Sequence, residues 1–189
     1  MGFILYPGSK RYVGDDYNLT QRVPKRLTKV GVTVDETIEK VLDWIVRLRL
    51  DYIQLHGKES AEYCRELHTM GFGVIKAFGI DENFDFQILD EYQNWIDYFL
   101  FDTKTKLHGG SGQKFNWEIL SNYKLQKPFF LSGGIGPDDF QLNDIPDDLP
   151  LHAIDINSRF ETKPGFKDIN LLEKFMTNFR TFNTSESEI

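Results

Sequence analysis

The sequence predicts an α/β protein of the TIM (β/α)8 barrel class, with only seven β/α units visible. Three observations support this. Short apolar runs alternate with stretches of helical spacing along the whole chain. The first strand lacks the glycine fingerprint that usually follows the first strand of an open nucleotide-binding sheet, and polar residues follow several different strands. We expect residues 1–180 to form a single barrel domain that is incomplete at its N-terminus, and residues 181–189 to form a polar C-terminal tail.

The strand candidates are continuous apolar, β-branched or aromatic runs. Such runs are typical of parallel strands that are covered on both faces, and strands alternating with helices imply right-handed β/α/β units. The predicted strands are residues 3–6, 27–34, 52–55, 74–78, 98–101, 129–132 and 152–156.

Helices are predicted where apolar residues recur at helical spacing. The clearest helix spans residues 38–48, and we expect Asp35 to cap its N-terminus. A second helix surrounds Tyr63 and Leu67 and ends near Gly71, and the last begins near Leu171. The segment after Phe140 is a weak helix candidate because two prolines follow it.

Composition excludes several classes of function. The 189 residues include 29 acidic and 22 basic residues, so the net charge is −7, and no basic cluster predicts a nucleic-acid surface. The single cysteine, Cys64, cannot form an internal disulfide. No apolar run approaches the roughly 18 residues of a membrane span, and the N-terminus lacks the pattern of a signal peptide. We therefore expect a cytoplasmic protein without a membrane or nucleic-acid partner.

Polar residues and glycines follow five of the predicted strands, as a site on the C-terminal face of a barrel requires. His56 could simply bond to the backbone, and Asp102 could either cap a turn or act as a general acid. The glycine-rich loop could be a flexible connection or a substrate lid. These strand-end and loop residues are Ser9, Arg11, His56, Gly57, Asp102, Gly133, Gly134, Asp155–Ser158 and, in the loop, Gly109, Gly110, Ser111 and Gly112.

Two neighbouring loops suggest a phosphate site. Gly133 and Gly134 follow an apolar strand and precede an expected helix at Pro137, which would place free amides near a positive helix end. The next strand ends in Asn157 and Ser158, followed by Arg159. Because phosphate sites in barrels commonly form from the last two loops of this kind, we expect a phosphorylated small molecule as the ligand.

Several of these segments, taken in order, resemble phosphoribosylanthranilate isomerase, a TIM-barrel enzyme family of tryptophan and aromatic amino-acid biosynthesis. The resemblance covers about residues 2–180. The segments are Gly2-Phe3-Ile4-Leu5-Tyr6-Pro7, Ser9-Lys10-Arg11-Tyr12-Val13, Gln54-Leu55-His56-Gly57, Phe101-Asp102, Gly109-Gly110-Ser111-Gly112, Phe115-Asn116-Trp117, Leu131-Ser132-Gly133-Gly134-Ile135, residues 155–161 and Pro164-Gly165-Phe166-Lys167-Asp168.

The resemblance implies an isomerase that interconverts an aldose and a ketose by an Amadori rearrangement, without cofactor or metal. It implies that Asp102 is the general acid and that Arg11 pairs with the anthranilate carboxylate of the substrate. It further implies that His56 and Asp155 line the sugar region. The backbone amides of four residues would bind the phosphate: Gly133, Gly134, Asn157 and Ser158.

The sequence departs from the family pattern in two places. Arg159 follows Asn157-Ser158 where many relatives carry a glycine after a pair of serines. The general base of the family is a cysteine in a Lys-x-Cys-Gly segment that ends the first barrel strand, and the 189 residues contain no such segment. Cys64 lies in a predicted outer helix and is not its replacement. We therefore expect little or no isomerase activity from this chain, and a barrel that is destabilised or associates through its open edges.

The sequence is also compatible with two other functions. One is a catalytically inactive barrel that binds a phosphorylated ligand, and the other is a different sugar-phosphate isomerase, epimerase or aldolase. A Schiff-base aldolase needs a buried lysine, and Lys76 lies within the fourth predicted strand. Four histidines make a metal-dependent epimerase a weak alternative. The sequence leaves open whether the protein is a monomer or a homodimer.

Overall fold

In the computed structural model, seven strands form one sheet whose hydrogen-bonded order follows the chain. The strands are β1 (Gly2–Ile4), β2 (Val30–Thr33), β3 (Tyr52–Leu55), β4 (Gly73–Ile80), β5 (Tyr98–Thr103), β6 (Phe129–Leu131) and β7 (Leu151–Ile154). This order confirms the predicted seven-stranded α/β sheet. The structure describes residues 1–14, 16, 18–104, 114–139, 141–142, 145–146 and 148–185.

Parallel pairing sets which loops leave the same edge of the sheet. Ile4 pairs with Val32, Thr33 with Leu55, and Leu55 with Lys76. Because the strands run in the same direction, the segments that follow β1, β2 and β3 all leave at their C-terminal ends, where ligands bind in sheets of this kind. The register therefore places residues after Leu5, Thr33 and Leu55 on the functional side.

Among the described residues, three α-helices lie between or after the strands: α1 (Ile38–Leu48), α2 (Ala61–Thr69) and α3 (Ile169–Ser185). In α1, Val41, Trp44, Ile45 and Leu48 are buried, as the helical spacing predicts. The connections that precede β5 and β6 contain 3₁₀-helices, Phe86–Glu91 and Trp117–Asn122. Two further 3₁₀-helices span Leu19–Arg22 and Ser158–Phe160.

The expected cap of α1 is wrong. Thr37 caps the helix, and its hydroxyl accepts a hydrogen bond from the amide of Lys40 at 3.4 Å. Asp35 instead adopts a left-handed backbone (φ 49°), and its carboxylate accepts the amide of Lys58. Asp35 is therefore used to join the loops after β2 and β3, and Thr37, which is also a good capping residue, takes the helix end.

The helix expected from Pro137 is also wrong for the residues that the structure describes there. Pro137 and Asp138 form a turn, and the Asp139 carboxylate accepts the amide of Gly136 at 2.6 Å. Leu142 is left-handed (φ 50°), a conformation that a helix interior does not contain. The described residues after Gly133 and Gly134 therefore provide no helix N-terminus that could help these glycines to bind a phosphate.

The C-terminal region contains a hairpin that the sequence did not predict. β8 (Glu161–Lys163) and β9 (Phe166–Lys167) pair in antiparallel fashion, with Gly165 left-handed at the turn (φ 83°). Helix α3 follows and continues past Arg180 to Ser185. Within the described ranges, no helix is both long and apolar enough to cross a membrane.

Residues of the chain group into two compact units, each with its own core. Unit 1 comprises Met1–Phe78, Asp85–Leu100 and Lys127–Phe129, and unit 2 comprises Gly79–Phe84, Phe101–Gln126 and Phe130–Ile189. The core of unit 1 includes Leu5, Ile53, Leu55, Leu67, Val74 and Phe99. The core of unit 2 includes Phe101, Leu120, Leu131, Phe160 and Phe175.

Replacing Thr37 by alanine tests the observed cap. The variant loses the side-chain acceptor for the Lys40 amide, so we expect the free energy of unfolding to fall by about 1 kcal/mol. Urea denaturation followed by circular dichroism measures this change. Thr37→Ser keeps the hydroxyl and should retain most of the wild-type stability; an equal loss in both variants would contradict the cap.

Candidate functional site

In unit 1, the loop after β1 is held close to its strand. The amide of Val13 donates to the carbonyl of Ile4 at 3.0 Å, and Ile4 and Tyr12 form a parallel β-bridge. The amide of Arg11 donates to the Ser9 hydroxyl at 3.1 Å. Arg11 therefore lies in an ordered turn at the C-terminal end of β1, where the sequence places it.

His56 directly follows β3, and both its backbone and its ring have partners. Its amide donates to the carbonyl of Thr33 at 2.9 Å, which continues the pairing of β2 and β3 by one residue. Its Nδ1 lies 2.8 Å from Nε2 of Gln54, a side chain that is itself buried. The contact with Gln54 fixes the rotation of the imidazole ring at the C-terminal end of β3.

The carboxylate of Glu59 joins the loops that follow β2 and β3. One oxygen accepts the amide of Asp35 and the other accepts the amide of Gly57, both at 2.9 Å. The two loops touch so closely that a Cβ added to Gly57 would lie 2.7 Å from the backbone nitrogen of Asp35. Glycine is therefore required at position 57 for steric reasons.

Lys76, in the middle of β4, is the cation that balances Glu59. Its Nζ lies 3.1 Å from Oε2 of Glu59, and each side chain is only 2% exposed. It also donates to three backbone carbonyls, those of Leu55, Gly57 and Ala77, at 2.8–3.3 Å. A lysine nitrogen committed to four oxygen acceptors suits a structural ammonium group and disfavours the free amine that a Schiff-base aldolase needs.

Cys64, which lies in α2, is fully buried. Burial raises the pKa of its thiol to about 12; the neighbouring Lys76 opposes this rise and Glu59 adds to it. A thiol with this pKa is protonated at neutral pH and is a poor base or nucleophile.

In unit 2, Asp102 lies near the end of β5 and is half-buried. One carboxylate oxygen accepts the amide of Thr103 at 2.8 Å. Gly133 is close to the same residues, because a Cβ added there would lie 2.9 Å from the Asp102 carboxylate and 2.6 Å from the Thr103 nitrogen. The structure thus brings Asp102 and the Gly133 loop together at the C-terminal ends of β5 and β6.

Gly133 and Gly134 both have left-handed backbones, with φ of 92° and 65°. A side chain would be strained at either position, and at Gly133 it would also overlap Thr103. In the described part of the chain, no residue accepts a hydrogen bond from either amide. Backbone amides exposed in such a turn can bind an anion, even though the expected helix is not there.

Asp155 and Asn157 follow β7 and are each tied to a neighbouring segment. The Ser132 hydroxyl donates to the Asp155 carboxylate at 3.3 Å, which joins the loops after β6 and β7. Lys167, from the hairpin, donates to the backbone oxygen of Asn157 at 3.0 Å and to its side-chain oxygen. Glu161 accepts from the same ammonium group at 3.0 Å, so the hairpin holds Asn157 in its unusual conformation (φ −139°, ψ −92°).

Arg159 stands beside the loop after β6. Its guanidinium would lie 3.2–3.4 Å from a Cβ added to Gly136, and the preceding Ser158 opens a short 3₁₀-helix. A planar cation at this position can contribute to binding a phosphate. Arg159, the first departure from the family pattern, is therefore compatible with a phosphorylated ligand.

Two further points concern the candidate lid and metal ions. The proposed lid residues, Gly109, Gly110, Ser111 and Gly112, lie outside the described residues. Among the residues that are described, no three histidine, cysteine, aspartate or glutamate side chains form a group that could hold a metal ion.

Sequence reasoning missed the residues that support the site. It did not identify Glu59, Asp35 as a loop anchor, or Lys167. Only Lys76 carried a readable signal, because a lysine inside an apolar strand needs a buried acceptor. The other contacts join residues that are distant in sequence, so no local sequence pattern predicts them.

The chain-ordered parallel sheet, with polar and glycine-rich loops at the C-terminal ends of its strands, defines a TIM-barrel α/β protein with a candidate phosphate loop. The family model described as N-(5'phosphoribosyl)anthranilate (PRA) isomerase matches residues 1–178. The chain belongs to this family.

Individual relatives agree. An N-(5'-phosphoribosyl)anthranilate isomerase of Parabacteroides distasonis is 43% identical over 179 residues, which are 93% of this chain and 81% of the relative. One of Phocaeicola vulgatus is 41% identical and covers 95% and 86%. The crystal structure of phosphoribosyl anthranilate isomerase from Thermus thermophilus superposes with a TM-score of 0.81 at 27% identity, covering 95% and 86%. A further isomerase structure, in complex with reduced 1-(o-carboxyphenylamino)-1-deoxyribulose 5-phosphate, has a TM-score of 0.75 at 30% identity, again covering 95% and 86%.

Replacing Gly133 by alanine tests the close approach at the candidate phosphate loop. A left-handed alanine costs roughly 1–2 kcal/mol, and overlap with Thr103 adds a further cost of about 1–3 kcal/mol. Gly165→Ala is the matched control, because it is also left-handed but has open space around it. We expect the Gly133 variant to lose more stability in urea denaturation and to bind inorganic phosphate more weakly. Equal losses in the two variants would contradict the close approach.

The raised pKa of Cys64 predicts a pH-dependent stability. Because the thiol ionises near pH 9 in the unfolded chain and near pH 12 in the folded one, its contribution is complete below pH 9 and is lost as the pH rises toward 12. Comparing urea denaturation of the wild type and of Cys64→Ala isolates this effect. Their difference in unfolding free energy should shrink by up to about 1.4 kcal/mol per pH unit above pH 9. A constant difference would show that the thiol titrates normally.

Proposed function

We propose that this chain binds N-(5'-phosphoribosyl)anthranilate and converts it to 1-(2-carboxyphenylamino)-1-deoxyribulose 5-phosphate, an isomerase step of tryptophan biosynthesis. The family match over residues 1–178 is the observation that carries the proposal. A relative at 30% identity, crystallised with the reduced form of this product, supports a phosphorylated small-molecule substrate. A cytoplasmic location, without nucleic-acid or membrane partners, is part of the proposal and agrees with the net charge of −7.

The proposed chemistry is an Amadori rearrangement in two stages of proton transfer. An acid protonates the ring oxygen of the furanose, and the ring opens to a Schiff base. A base then removes the proton on C2, and the resulting enolamine tautomerises to the ketone. In this proposal Asp102 is the acid, and its place at the mouth of an apolar strand supports the role.

Binding residues are proposed at both ends of the substrate. Arg11 pairs with the anthranilate carboxylate, because a guanidinium binds a carboxylate with two parallel hydrogen bonds. The amides of Gly133, Gly134, Asn157 and Ser158 bind the phosphate, and His56 and Asp155 contact the sugar. Fixing both charged ends would orient the flexible middle of the substrate against the acid.

The cysteine of the printed sequence, Cys64, is buried in α2, and its raised pKa makes it unsuited to act as the base of the second stage. A polypeptide of these 189 residues alone is therefore expected to bind the ligand and to turn it over more slowly than the relatives do. This keeps an inactive ligand-binding barrel as the second candidate function. Measuring binding separately from turnover distinguishes the two.

Replacing Asp102 by asparagine tests the proposal. The variant keeps the shape of the side chain and loses the transferable proton, so turnover of phosphoribosylanthranilate should fall by roughly 10²–10⁴-fold from the wild-type value. Affinity for the reduced product, measured by isothermal titration calorimetry, should change little. Wild-type protein that fails to bind the reduced product would refute the proposed function. Measurable turnover by the wild type that is unchanged in the variant would refute only the role of Asp102.

A further inference from the structure

The pair formed by Glu59 and Lys76 touches no proposed substrate group, yet it connects β4 with the loops that follow β2 and β3. Glu59 follows β3, Lys76 lies in β4, and the Asp35 amide that Glu59 accepts follows β2. Two charges at 2% exposure are costly to desolvate, and a well-packed apolar pair often gives equal or better stability. The presence of this pair therefore calls for a reason other than stability.

The contacts of the pair converge on the segment immediately after His56. Gly57 donates its amide to Glu59 and accepts from Lys76 at 2.8 Å through its carbonyl, so both of its backbone polar groups are held by the pair. Lys76 also binds the carbonyl of Leu55, the residue before His56. One ammonium group thus binds the backbone carbonyls of the residues on both sides of His56.

We propose that Glu59 and Lys76 are positioning residues, whose ion pair fixes the backbone from Leu55 to Gly57 and thereby aims the His56 imidazole at the ligand. The inference rests on the proposed function, in which His56 contacts the sugar. The contact between Gln54 and Nδ1 of His56 sets the rotation of the ring, and the ion pair sets the position of the backbone that carries it.

A double variant, Glu59→Gln with Lys76→Met, tests the proposal. It removes both charges together, so no unpaired buried charge remains, and it nearly preserves side-chain volume. The glutamine can accept only one of the two loop amides well, and the methionine cannot bind the carbonyls of Leu55 and Gly57. We expect the protein to fold and its affinity for the reduced product to fall by about tenfold, since small displacements at a site have effects of this size or larger.

Two readouts separate positioning from general damage. Affinity for inorganic phosphate should stay within about twofold of the wild type, because the residues proposed to bind phosphate belong to unit 2. A loss of folded protein would weaken the binding of both ligands. The ring nitrogen chemical shifts of His56, followed by NMR on labelled protein, should change in the double variant. Val41→Ala, which leaves space under the buried face of α1, is the control for lost stability and should change neither readout.

A milder variant protects the test against failure to fold. Glu59→Asp keeps both charges, but the shorter side chain cannot hold the Lys76 ammonium group and the amides of Asp35 and Gly57 at the same time. It should shift the His56 signals and weaken binding of the reduced product in the same direction, by a smaller factor.

The outcomes are distinct. Unchanged His56 signals and unchanged affinity in a folded double variant would overturn the positioning role, as would equal losses in Val41→Ala. A wild-type protein that does not bind the reduced product refutes the proposed function instead, and the His56 signals then decide the positioning role alone.

Discussion

The structure depends on the burial of a parallel sheet. The backbone groups of its strands must form hydrogen bonds within the sheet. Their side chains must be apolar because helices and loops cover them. In β3 and β4 this requirement makes consecutive residues buried, so polar chemistry is confined to the residues where a strand ends. His56 and Asp102 lie at or just beyond such ends. The same constraint explains why the loops, which tolerate change, carry the function, and why the strands carry the stability.

Lys76 is an exception to that rule, and it shows how the sheet accommodates a charge. Its ammonium group has one carboxylate and three carbonyl partners, so its burial is matched by hydrogen bonds as well as by an opposite charge. The carboxylate in turn uses both of its oxygens on loop amides. Such a fully satisfied polar cluster makes the local backbone next to His56 rigid.

The candidate phosphate loops solve the same problem differently. Gly133 and Gly134 adopt backbones that other residues avoid, while Asn157 is held by Lys167 and Glu161 from a hairpin later in the chain. The sequence suggested a helix end as the origin of anion binding at Gly133, and the structure has a turn there. The groups that could bind an anion there are the backbone amides of Gly133 and Gly134, and Arg159 lies close to the same loop.

The sequence alone determined the class of fold and the segments that carry the chemistry. Strands and amphipathic helices produce local sequence patterns, so the spacing of apolar residues predicted the seven strands, α1 and α2. The glycines of the candidate site were recognisable because glycine is the residue type that tight turns require. The tertiary structure decided the partners. Asp35 is a sound helix cap by local rules, but a loop after another strand competes for its carboxylate. Glu59 and Lys167 had no local signature, because their roles depend on residues brought near by the fold. Hydrogen bonds and ion pairs are specified by distance in space, which a sequence pattern does not contain.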